Sequence, residues 1–98
     1  MLRIVEENAT NNSVTLRLDG RLVNQWVGVL RLCCEQVFQN SSRLILDLAG
    51  VSFADHDGVQ LLRQLENQQV AFINCSPFLR EQIKQSANGP LPNRPANE

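Results

Sequence analysis

The sequence carries no excess of positive charge. Nine basic residues stand against ten acidic ones over 98 positions, for a net charge of −1. Binding to a phosphate backbone needs a field of Lys and Arg, so the charge balance speaks against a nucleic-acid partner. No apolar run approaches the roughly 18 residues of a membrane span, so no direct membrane insertion is expected. The opening Met1-Leu2-Arg3-Ile4-Val5-Glu6-Glu7 lacks the apolar stretch of a secretory signal, and the expected location is cytoplasmic. Cysteine is scarce. Cys33, Cys34 and Cys75 are odd in number and match no zinc spacing. They read as small buried hydrophobes in a reducing compartment. Histidine occurs once, at His56. There is no Walker loop, no Gly-rich dinucleotide turn and no nucleophile–base constellation. The expectation is a protein with no catalytic residue, no metal and no cofactor.

What is present is material for one core. Hydrophobic residues make up 43% and charged residues 19%, which suits a single folded domain. Val14, Leu16 and Leu18 alternate with polar neighbours, the period of a half-buried strand over 13–19. A short strand over 2–6 precedes it across the turn-forming Asn8-Ala9-Thr10-Asn11-Asn12. Val23, Trp26, Val27, Leu30, Cys34 and Val37 recur at steps of three and four, predicting a helix over 23–39. Gly28 in that helix suggests a close approach, and Leu32 falls on its solvent side. The compact apolar runs 43–48 and 70–73 suit strands covered on both faces. A loop over 49–58 and a helix over 57–67 lie between them. Ser76 and Pro77 are a good cap and first residue for a last helix, with Phe78, Leu79 and Ile83 facing inward. Residues 1–86 form the expected domain. Residues 87–98, with three prolines and few apolar groups, read as a flexible tail. The order β-β-α-β-α-β-α predicts an α/β fold: a mixed sheet, its first two strands antiparallel, with helices mainly on one face.

The most informative stretch runs Leu46-Asp47-Leu48-Ala49-Gly50-Val51-Ser52-Phe53-Ala54-Asp55-His56-Asp57-Gly58. An apolar strand ending in Asp-Leu, then Gly-Val-x-Phe, then Asp-x-x-Gly opening a helix, resembles the STAS domain family. That family includes anti-sigma factor antagonists and the cytoplasmic ends of sulfate transporters. Leu18-Asp19-Gly20-Arg21-Leu22 is similar to the family's Gly-x-Leu element after its second strand. The likeness covers roughly residues 2–85. It implies a stand-alone, non-enzymatic interaction module.

In that family the residue before the Gly is a Ser or Thr that a partner kinase phosphorylates. Here the position holds Asp57. Two readings of Asp57 stay open. It is a helix-capping carboxylate, as Asp55 could equally be, or it is a partial imitation of a phosphorylated residue, with less charge and fewer acceptor oxygens than phosphoserine. The resemblance implies a docking surface over 55–63, made of Asp55, His56, Asp57, Gly58, Val59, Gln60 and Arg63. Helical spacing places Gly58 on the buried side and Val59 on the exposed side. His56 reads as an exposed loop residue whose charge changes near neutral pH. The implied partner is an anti-sigma factor kinase. Alternatively the domain is the soluble subunit of a lipid-trafficking ABC transporter, braced against its ATPase subunit. Binding of a small anion or nucleotide at a helix N-terminus is a third reading, against which Asp55 and Asp57 would act by repulsion. Strand 2–6, as an open edge, would also allow a homodimer.

Overall fold

The computed structural model describes residues 1–40 and 42–87. Strands β1 (Leu2–Ala9) and β2 (Ser13–Leu22) form an antiparallel hairpin. Its turn is closed by Thr10, whose N–H donates to the Ser13 carbonyl at 2.8 Å and whose Oγ1 accepts from the Ser13 N–H at 3.1 Å. Helix α1 (Gln25–Gln39), strand β3 (Arg43–Ala54), helix α2 (His56–Asn67), strand β4 (Ala71–Ile73) and helix α3 (Pro77–Ala87) complete the chain order. The sheet runs β1-β2-β3-β4, with β2, β3 and β4 parallel. The crossovers through α1 and α2 step the same way across the sheet. Crossovers of one hand must then place both helices on one face. The expected α/β fold, mixed sheet and element order are what the structure has.

The alternation in β2 and β3 makes the core. Leu16, Leu18 and Leu22 of β2 and Leu44, Leu46 and Leu48 of β3 join Val27, Leu30 and Cys34 of α1. Leu61, Leu62 and Leu65 of α2, and Leu79 and Ile83 of α3, complete the cluster. At about 25 cal/mol per Å² of apolar surface, each of these side chains contributes roughly 1.5–3 kcal/mol by leaving water.

Among the described residues the other face of the sheet carries no helix, which corrects the reading of 43–48 and 70–73 as strands covered on both faces. Asp47 points to that face and is only 5% exposed. It accepts from the Ala49 N–H at 3.0 Å and the Asn74 side-chain amide at 3.1 Å. Those bonds, the backbone one foremost, hold its carboxyl below the usual carboxylate range, with Arg17 adding to the effect. A carboxylate this far from water is retained because two donors converge on its Oδ1.

Several local expectations are corrected. The segment 49–54 is not loop: β3 continues to Ala54 by carrying two extra residues relative to β2. The first lies between Asp47 and Gly50, opposite Arg17 to Asp19, and the second between Val51 and Phe53, opposite Gly20 to Arg21. Such bulges bend a strand and re-aim the residues beyond them. Helix α1 starts at Gln25, two residues late, because Asn24 sits at φ 54° and breaks the helical path at Val23. Gly28 meets nothing: a Cβ there would have no neighbour within 4 Å. Phe78 is 64% exposed, since Leu79 and Ile83 already fill the seam against α2. The Ser76 cap is as expected, its Oγ accepting from the Leu79 N–H at 3.1 Å. Helix α3 runs through Ala87, so it takes in Ser86 and Ala87. The remainder of the segment read as a tail, 88–98, lies outside the described residues.

Candidate functional site

The carboxyl ends of β2 and β3 bring two turns together. The chain leaves β3 at Ala54, which is buried, and Asp55 begins the turn into α2 in extended backbone (φ −79°, ψ −177°). A residue with a carboxylate and non-helical backbone is a strong N-cap. Asp55 Oδ1 accepts from the Gly58 N–H at 2.8 Å. Its Oδ2 accepts from the backbone N–H of Asn24 at 3.0 Å, 31 residues earlier. The Asp55 N–H itself donates to the Leu22 carbonyl at 3.1 Å. One side chain therefore caps α2 and ties it to the β2–α1 turn. The Asn24 and Gly58 N–H groups hold the Asp55 carboxyl below its ordinary range, in that order of importance.

Gly58 makes the close fit possible. A Cβ on it would fall 2.5 Å from the Leu22 carbonyl oxygen and 3.0 Å from Leu22 Cγ. The steric role expected of Gly58 is the one it has, and its own N–H completes the cap. Gly50 serves the same purpose at the preceding bulge, where a Cβ would lie 1.8 Å from Asp19 Oδ1 and 2.8 Å from the Leu18 carbonyl oxygen.

The residues expected to form one surface over 55–63 do not all face solvent. His56 and Asp57 are exposed on the first turn of α2, and Asp55, Gln60 and Arg63 are half-buried. Gly58 and Val59 are buried. Val59, expected to be exposed, is 6% exposed and belongs to the core. The reason is the position of α2. It packs against α1, α3 and the sheet, so its buried arc runs from Leu61 through Leu65, Gly58 and Leu62 to Val59. The outward face reduces to His56, Asp57, Gln60 and Arg63. Asp57 lies in the first helical turn, where the dipole favours a carboxylate, while the capping bond itself belongs to Asp55. Because Asp55 already occupies the Gly58 N–H, that helix end holds an anion from its own chain.

Three residues outside the expected set shape the same corner. Asn24 supplies the N–H that anchors Asp55. Arg21 and Phe53 face each other across β2 and β3, the guanidinium 5.3 Å from the ring centroid, and Phe53 is 39% exposed. No local pattern marks Asn24, whereas the unusual aromatic Phe53 next to the acidic turn was legible. Ser52 Oγ donates to the Gly20 carbonyl at 3.2 Å and so belongs to the strand pairing rather than the turn.

Cys34 is buried and its thiol is pushed up to about 12, chiefly by burial. Cys33 and Cys75 are half-buried, and burial also raises Cys75. Among the described residues no three His, Cys, Asp or Glu side chains converge as a metal set, and no helix is long and apolar enough to cross a membrane.

No family model and no curated protein matches the chain. Solved structures do. The anti-sigma factor antagonist SpoIIAA in its unphosphorylated form shares 28% identity at a TM-score of 0.63, over 85% of this chain and 83% of that one. The Bacillus cell fate determinant SpoIIAA in the phosphorylated form shares 30% identity at a TM-score of 0.63, over 90% of this chain and 86% of that one. A protein with a SpoIIAA-like fold from Shewanella loihica, at 15% identity and a TM-score of 0.55 over 89% and 76%, shares the architecture. With the strand–bulge–turn–helix corner in place and that identity sustained along both chains, the protein belongs to the SpoIIAA-like family of STAS domains.

Proposed function

We propose that this chain is an anti-sigma factor antagonist-type docking module that engages a protein partner through the outer face of α2, without phosphorylation at its switch position. The observation that carries this reading is the exposed His56–Asp57 pair on a turn pinned by Asp55, Asn24 and Gly58. A rigid turn loses little conformational freedom when a partner closes over it. Gln60 and Arg63 continue the surface along the helix. The position before Gly58 offers a carboxylate and no hydroxyl, so a kinase has nothing to modify there. Asp57 supplies a fixed negative charge where other members of the family carry a switched one. On this reading the site works by binding: Asp55, Asn24 and Gly58 are committed to the cap and its tether, and His56 and Asp57 are left to meet a partner.

The test titrates a purified anti-sigma factor kinase with the full chain in a calorimeter. The wild-type protein should bind, and Asp57→Ala should weaken binding by about tenfold, or ~1.4 kcal/mol. Incubation with the kinase and ATP should leave the wild type unmodified and phosphorylate Asp57→Ser. If the kinase does not bind, or binds both variants as it binds the wild type, the reading is wrong. Binding instead to a purified transporter ATPase subunit would assign the domain to a membrane complex.

A further inference from the structure

Strand β1 is an end strand of the sheet. The register and one bond fix which of its backbone groups face outward. Leu2 lies opposite Gly20, and the Arg21 N–H donates to the Met1 carbonyl at 2.9 Å. In an antiparallel ladder this makes Leu2–Gly20 a non-hydrogen-bonded pair, and with it Ile4–Leu18 and Glu6–Leu16. The N–H and C=O groups of Leu2, Ile4 and Glu6 therefore point away from β2, along an edge that no other described strand pairs with. A register shift between Glu6 and Asn8 ends the regular edge there.

The charges along this edge are divided by position. Arg3 stands near its start, and Glu6 and Glu7 near its end. Among the described residues Arg3 and Glu6 take part in no ion pair, and Glu7 reaches Arg17 only at 3.9 Å. Arg3 and Val5 point to the helix-free face, beside Asp19 and Arg17, and Glu7 reaches the same face. Val5 is 36% exposed. A parallel copy of this strand would set like charges side by side. An antiparallel copy sets opposite charges side by side.

We propose that β1 pairs antiparallel with β1 of a second copy, about a twofold axis at Val5. Val5 then lies against the partner's Val5, and Arg3 of each chain lies opposite the partner's Glu7. Ile4 and Glu6 exchange backbone bonds with the partner's Glu6 and Ile4. The two sheets become one of eight strands, with the helices of both copies on the same side. Only a short regular edge takes part, so the dimer depends on concentration. The docking turn follows β3, two strands from the new seam, and stays open on both copies.

Sedimentation equilibrium of the full chain over a concentration series tests the pairing. The wild type should approach twice the 11.0 kDa chain mass as concentration rises. Arg3→Glu should shift the dissociation constant upward by about tenfold, as should Glu7→Arg, because each turns two attractions into repulsions. The double variant Arg3→Glu/Glu7→Arg should restore the dimer. Glu6→Pro removes an outward N–H and should abolish it while circular dichroism stays native. A wild type that is monomeric throughout, or a dimer indifferent to Arg3→Glu and to Glu6→Pro, overturns the proposal.

Discussion

The Asp55 carboxylate accepts the Asn24 N–H at 3.0 Å while capping Gly58 at 2.8 Å, so a single side chain joins the end of β2 to the start of α2. Loss of both bonds leaves two backbone donors without partners. Asp55→Ala should destabilise the fold by about 2 kcal/mol, at the upper end for an N-cap because the tether is lost as well. Asp55→Asn keeps an acceptor for one donor and should cost less. Urea denaturation with an unchanged m-value would show both.

The same carboxyl gives a pH signature. Asp55 and Asp47 both titrate below their ordinary range in the folded chain, held there first by backbone N–H groups. Their contribution is therefore fully present above the unfolded Asp value of about 4 and is lost as pH falls through the lower folded values. Thermal stability followed from neutral to acid pH should hold down to about pH 4 and then decline. Asp47→Asn should flatten some of that decline.

The glycines divide by what surrounds them. Gly28→Ala adds a methyl where no atom lies within 4 Å, inside a helix, and should stabilise by roughly 1 kcal/mol. Gly58→Ala drives a methyl to 2.5 Å from the Leu22 carbonyl oxygen and should destabilise strongly, opening the turn that presents His56 and Asp57. Opposite signs in a thermal melt are the expected result.

Val59 and Asp57 separate packing from the proposed recognition. Val59→Ala removes buried methyl groups and should cost on the order of 2 kcal/mol, detectable in denaturant midpoint. Asp57→Ala and His56→Ala, both at exposed positions, should change stability by less than about 0.5 kcal/mol. Their effect belongs in the binding titration.

The local pattern determined a good deal. The alternation of Val14, Leu16 and Leu18 and the stripe from Trp26 to Val37 depend only on period, and period is set by backbone geometry. Hence the element order, the mixed sheet and the helices on one side could be read directly, as could the cap at Ser76. The Asp-x-x-Gly turn was legible as the opening of a helix, but the choice of Asp55 over Asp57 as its cap was made only by the fold.

Tertiary structure alone decided the rest. Asp47 sits in an apolar run that looks covered on both faces, yet Asn74, 27 residues away, adds a second donor to the Ala49 N–H and helps a carboxylate stay there. Val59 belongs to the core because α2 has neighbours on three sides, and no single-helix period encodes how many neighbours a helix will have. The partner of Asp55 is a backbone N–H in another turn. A backbone donor carries no residue signature, so the bond that holds the β3–α2 turn in place exists only once β2 and β3 lie side by side.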